Sequence, residues 1–231
     1  MEKSLNTADL YQRLLQVYEV YWENNVYAKS KWPDSPDGRV DLRCAIFGLP
    51  GNALGTFQLQ MQNLEANLKD PNYWQAYAGI SDPEAIRTNL RIYDSNTRHM
   101  NFVLFFSRVE WVLRNMIMIV KPGACDNGLG NFKNIYDSLL AEIGLLSEVT
   151  IFDVARCIRN TIHNNGFYCH QEGKSATYPY RGQLLTFTHG KNTHLATSIS
   201  FFLIEDMIRS CRKVVDSPKI AAFKRMDFFF A

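Results

Sequence analysis

The chain has 231 residues, of which 46% are apolar and 21% charged, an ordinary globular balance that excludes wholesale disorder. Lys and Arg number 25 against 23 Asp and Glu, so the net charge of +2 excludes a blanket basic surface, and any contact with nucleic acid must be local. A chain of this length buries roughly 70–75% of its unfolded surface, enough to fold without a metal or disulfide staple.

The polar opening from Met1 to Thr7 has no apolar leader segment, and the longest charge-free stretch, Cys44 to Leu64, is broken by Gly48, Pro50, Gly51 and Asn52. The expectation is a cytoplasmic protein without a membrane span. Cys44, Cys125, Cys157, Cys169 and Cys211 are odd in number and form no Cys-x-x-Cys pair, which suits a reducing compartment.

Leu10, Leu14, Val17, Tyr18 and Tyr21 recur at helical spacing behind a Thr7 cap, and the pattern runs out at Trp32-Pro33. From Pro33 to Gly51 prolines and glycines interrupt any period, which predicts a long surface connection, with room for a short strand at Val40–Phe47. Leu54, Phe57, Met61, Leu64 and Leu68 then mark a second helix, from Asn52 to the stop at Asp70-Pro71. Ser81-Asp82-Pro83-Glu84 has the capping-box arrangement, with Ser81 as the cap, and opens a third helix. Unbroken to Val120 it would extend about 57 Å, so a break or kink is expected near Asp94-Ser95-Asn96. Its second half, Phe102 to Val120, is apolar on nearly every face and reads as the spine of a bundle.

Phe132, Ile135, Leu139 and Ile143 define a short helix ended by Gly144. Ser147 is placed to cap a helix running to Asn165, with Gly166 as a left-handed stop. Between Phe167 and Gly190 the period changes, and Leu184-Leu185-Thr186-Phe187-Thr188 predicts a hairpin or extended arm. A last helix runs from Thr193 to Val215, before Ser217-Pro218. The fold class is therefore all-α, a helical bundle with a small arm between its last two main helices. The Phe228-Phe229-Phe230 tail is expected to pack on its own bundle or on a partner.

The helix from Ser147 to Asn165 sorts into two faces at about 100° per residue. Arg156, Arg159, Asn160, His163 and Asn164 share one side, while Ile151, Val154, Ile158, Thr161 and Ile162 share the other. Cleaving an RNA backbone without a metal needs a base for the 2′-hydroxyl proton, an acid for the departing oxygen, and a cation on the phosphoryl oxygens. His163 suits proton transfer near neutral pH. Arg156 or Arg159 suits the phosphate, with Asn160 orienting a partner. One histidine fills one role at a time, so a two-fold dimer carrying a second His163 across the groove is a mechanistic expectation. A polar helix face turned to water, with Asn164 and Asn165 as C-cap residues, accounts for the same pattern.

The stretch Arg156-Cys157-Ile158-Arg159-Asn160-Thr161-Ile162-His163 resembles the signature of HEPN domains (higher eukaryote and prokaryote nucleotide-binding), in which an arginine precedes a histidine by a few residues late in a bundle helix. Arg156 matches the family spacing, with six residues before His163. Arg159-Asn160 matches the arginine-plus-polar dipeptide, but with three. The resemblance covers about residues 95–218 and implies a homodimeric, metal-independent endoribonuclease of a toxin, phage-defence or RNA-processing system, or a non-catalytic RNA- or protein-binding relative. It implies RNA as ligand, an antitoxin or other protein as a possible partner, and no cofactor or metal. On it the chain divides into a helical extension (1–80), a bundle core (81–218) and a tail (219–231). Glu110 pairs naturally with Arg114 one turn on. In a HEPN-like bundle Glu110 instead orients the motif arginine. Cys157, His163, Cys169 and His170 are of zinc-ligand type but lack ligand spacing. His99, His189 and His194 read as surface residues, and no phosphate-loop, dinucleotide or serine-nucleophile signature occurs.

Overall fold

A computed structural model describes residues 7–35, 37–124, 130–193 and 198–227. Cys125, His194 and the Phe228–Phe230 tail, each singled out above, lie outside the described residues. Among the described residues the chain forms eight α-helices and one two-stranded hairpin. No helix is long and apolar enough to cross a membrane.

Helix α1 (Thr7–Lys31) follows the predicted apolar stripe, and Leu10, Leu14 and Val17 are buried. The expected surface connection from Pro33 to Gly51 is corrected. Helix α2 (Leu42–Asn63) begins within it, capped by the Asp41 carboxylate, which accepts from the Arg43 backbone N–H, and it carries Pro50 in its interior. Leu42–Phe47 is thus helical rather than a strand. An interior proline costs about 3 kcal/mol. Burial of Leu42, Cys44, Ala45, Ile46 and Phe47 ahead of it, and of Ala53, Leu54 and Phe57 behind it, offsets that cost. Gly51 serves packing rather than a turn, since a Cβ there would lie 2.0 Å from the Tyr21 hydroxyl of α1.

Helix α2 ends in a π-helical turn, Leu64–Leu68. Asp70-Pro71, read as a stop, also starts the short helix α3 (Pro71–Ala78), with Asp70 accepting from the Asn72 backbone. Helix α4 (Pro83–Val120) is capped by Asp82, which accepts from Glu84 and Ala85, so Asp82 and not Ser81 is the N-cap. It continues through 38 residues with no break at 94–96. Asp94 pairs with Arg98 one turn on at 2.5 Å, and a turn further along the Asn101 side chain bonds both the Thr97 carbonyl and Gln60.

Phe102, Phe105, Phe106, Val109, Val112, Leu113, Met116 and Ile117 make α4 the buried spine. Its most extensive partner is α2, and apolar side chains from Leu10 to Met226 join one buried cluster. Helix α5 (Phe132–Glu142) continues that core through edge-on and stacked rings, Phe106–Phe132–Tyr136–Phe152, with centroids 5.0–5.6 Å apart. A 3₁₀ turn, Leu146–Glu148, leads into α6 (Val149–His163). Ser147 does not cap it. Glu148 occupies the cap without a side-chain cap bond, and its carboxylate is held by Ser210 and Lys213 instead.

At the other end Asn165 (φ 54°) and Gly166 (φ 91°) turn left-handed, and the Gly166 N–H closes on the Thr161 carbonyl. The arm is an antiparallel hairpin, β1 (Ala176–Tyr180) and β2 (Gln183–Phe187), in register from Ala176 opposite Phe187 to Tyr180 opposite Gln183. Arg181 at its turn binds Asp206 of α7 (Ile199–Asp216) through two nitrogens. Thr193, the expected start of that helix, precedes it, and α8 (Pro218–Ala221) follows.

Candidate anion-binding site

Helices α4, α5 and α6, with the loop after α6, enclose a recess of about 400 Å³. Its wall contains Glu110 and Arg114 from α4, Lys133 from α5, Arg156, Arg159 and Asn160 from α6, and His170 from the loop. Three of the residues chosen from the pattern of α6 therefore meet in one concavity, and Glu110 joins them. Arg114, Lys133 and His170 are the additions. Arg114 and Lys133 are remote in sequence from α6 and reach the recess only because α4 and α5 flank it, while His170 arrives with the loop that follows α6, so no spacing rule announces them.

The two candidate arginines have different roles. Arg156 is fixed: its Nε donates to the Tyr136 hydroxyl at 3.2 Å and its Nη2 to Asp153 at 3.4 Å. Tyr136 donates in turn to the same Asp153 oxygen at 2.5 Å, and Lys133 reaches that carboxylate at 3.2 Å. Asp153 is buried and shared by three donors. Burial opposes the charge on Arg156, but Cys157, Tyr136 and Asp153 together raise its pKa above the ordinary arginine value. The Tyr136 hydroxyl is pushed up by burial and by Asp153, so it stays protonated as a donor. Lys133 is likewise raised against burial by Asp137 and Asp153.

Arg159 is under-used. Its Nη1 donates to the Asn160 side chain at 3.1 Å, its buried Nε has no partner, and among the described residues no carboxylate pairs with it. Glu110 accepts two bonds from Arg114, at 3.0 and 2.6 Å, and Arg114 also donates to the Gly130 carbonyl. Glu110 thus takes the helix-pair role; the acid that orients a motif arginine is Asp153. Summing the neighbourhood, Glu110 matches Arg114, and Asp137 and Asp153 match Lys133 and Arg156. Among the described residues Arg159 remains as the uncompensated cation on this concave wall, where an anion with planar oxygens can take paired N–H bonds.

His163 stands apart from this wall. It is exposed at the last position of α6, one turn beyond Arg159, and burial together with the Arg159 charge lowers its pKa below the usual histidine value. Asn164 is the C-cap: its side chain donates to the Asn160 carbonyl at 2.8 Å. Cys157 is buried with its thiol toward the Tyr168 hydroxyl, whereas Cys169 is exposed. His189 is exposed as expected and accepts from the His170 backbone N–H. Compared with family models, with curated proteins and with solved structures, the chain finds no match, so the site is read from its own geometry.

Proposed function

We propose that the chain is a HEPN-like, metal-independent endoribonuclease acting as a homodimer, with Arg159 holding a backbone phosphate and His163 transferring protons. The observation that carries this reading is Arg159, uncompensated on a basic recess and one helical turn from an exposed imidazole whose pKa is depressed. In the step envisaged, neutral His163 takes the proton of a 2′-hydroxyl, whose oxygen attacks the adjacent phosphorus. A 2′,3′-cyclic phosphate forms as the bond to the 5′-oxygen breaks. That oxygen leaves with a proton supplied by the protonated His163 of the second copy. Arg156, tied to Tyr136 and Asp153, keeps the wall of the recess rigid beside Arg159.

The exposure of His163 outside the recess wall favours a second reading, a non-catalytic module that binds RNA through the same arginine. One experiment separates the two. The full chain is incubated with a mixed-sequence RNA pool in EDTA, beside H163A and R159Q. Cleavage by the wild type, lost in H163A while RNA binding persists, supports the nuclease. Binding without cleavage in all three supports the module. RNA binding that R159Q leaves intact overturns both.

A further inference from the structure

Helix α6 has a second concavity on its opposite face. Ile158, Thr161, Ile162 and Asn165 line a recess of about 930 Å³ shared with α4 and the Asn192–Thr193 loop. Sites for small molecules span about 300–1,000 Å³. The chemistry differs from that of the basic recess. Phe102, Ile158, Ile162 and Ile199 provide apolar walls, and the carboxamides of Asn96, Asn165 and Asn192 border the opening. Among the described residues no hydrogen bond engages those three carboxamides. The one guanidinium present, Arg98, is committed to Asp94 at 2.5 Å. His99 is lowered below the usual histidine value by burial and then by Arg98, so its imidazole is neutral at pH 7.

The edge of this recess is built by the end of α6. The left-handed pair Asn165 and Gly166 reverses the chain, the Thr193 N–H donates to the Gly166 carbonyl at 2.9 Å, and a Cβ on Gly166 would lie 3.0 Å from Nδ2 of Asn192. In chain order, exposed His163 and Asn164 separate Asn160 of the basic recess from Asn165 of this one.

Apolar walls with carboxamides and no free charge suit an uncharged planar heterocycle rather than a phosphate. A carboxamide sets a donor beside an acceptor, which matches N6 and N7 of adenine through two bonds, whereas the N7 and O6 edge of guanine is read by a free Arg or Lys, which this recess lacks. We propose that the recess binds an adenine base. Extended to RNA, it gives cleavage an adenine preference at the nucleotide beside the phosphate on Arg159. That extension rests on the function proposed above; base binding itself does not.

The test is titration of the ¹⁵N-labelled full chain with adenosine, which carries no phosphate, following the side-chain amide signals of Asn96, Asn165 and Asn192. The expected result is saturable shifts of those signals with adenosine and not with uridine. The affinity should fall at least about tenfold in the N96L/N192L double variant and stay unchanged in R159Q. Both exchanged residues are exposed, so the core is left intact. Absence of saturable shifts, an equal response to uridine, or loss of adenosine binding in R159Q overturns the proposal. Inorganic pyrophosphate, titrated separately, keeps the two sites distinct: if it binds and adenosine does not, the base site is withdrawn and the basic recess stands. If adenosine binds and pyrophosphate does not, the base site stands and the RNA reading of Arg159 falls.

Discussion

Arg43 and Arg159 are both charged side chains set into helices of one bundle, and their surroundings differ in one respect. Arg43 is fully buried with every nitrogen occupied. Its Nε and Nη2 donate to Asp41 at 2.8 and 2.7 Å, and its Nη1 reaches the carbonyls of Ile220 and Phe223. The Trp32 ring lies 4.7 Å from the guanidinium, and Asp41 accepts further from the Met226 backbone. This clamp ties the start of α2 to the chain after α7 and has no capacity left for a ligand. Arg159 keeps a buried donor without a partner, pairs with no carboxylate among the described residues and borders a cavity. A saturated cation holds a fold together. An unsaturated one on a concave wall is available to bind.

The contrast is sharpest when each network is cut. Asp41→Ala leaves the Arg43 charge buried and alone, at a cost of about 3–5 kcal/mol. Chemical denaturation should show a loss of that size, and a melting temperature lowered by about 2–4 °C for each kcal/mol. A loss under 1 kcal/mol would mean that water reaches Arg43. His163→Ala should do the opposite: stability should stay within about 0.5 kcal/mol because the residue is exposed, while RNA cleavage falls by about 10²–10⁴-fold. With the neutral imidazole as the proposed base and its pKa lowered, first by burial and then by Arg159, the acid limb of the rate–pH profile should have its midpoint below 6.5.

Glu148 offers a smaller, structural counterpart. Burial works against its charge, but Lys213 and Ser210 lower its pKa below the usual 4.5. The stabilisation is present above pH 4.5 and is lost as the pH falls through the depressed folded value. Glu148→Gln should flatten the acid limb of stability against pH and leave RNA binding unchanged. The smallest effect is expected from Glu110→Gln, which removes the carboxylate from the recess wall and frees Arg114. Pyrophosphate affinity should rise by about two- to fivefold, a gain under about 1 kcal/mol. A fall in affinity would place Glu110 among the binding groups.

What the sequence disclosed follows the range of the interactions involved. The two faces of α6, the apolar spine of α4 and the hairpin before α7 are local patterns and were readable. The helix at Leu42–Asn63 was hidden because Pro50 and Gly51 normally punctuate a chain. Here tertiary burial outweighs the proline, and the glycine is needed for Tyr21. The unbroken α4 was hidden by Asp94-Ser95-Asn96, of which Asp94 is held within the helix by its pair with Arg98. In the candidate site the motif residues of α6 were legible. The distinction between a fixed Arg156 and an under-used Arg159 was not, because it depends on Tyr136 of α5 and on there being no carboxylate paired with Arg159 among the described residues. Asp153, three residues before Arg156 on the same helix, was within reach of a spacing argument, and its i,i+3 offset was the signal to read.

The account stands or falls on Arg159 as the contact to a backbone phosphate, and the salt dependence of RNA binding tests it most directly. Each phosphate contact to a single strand contributes about 0.7 to the slope of log affinity against log salt. Binding of a short single-stranded RNA to the full chain, measured from low to physiological salt, should lose about that much slope in R159Q and weaken overall. An R159Q protein with the wild-type slope and affinity would contradict the account.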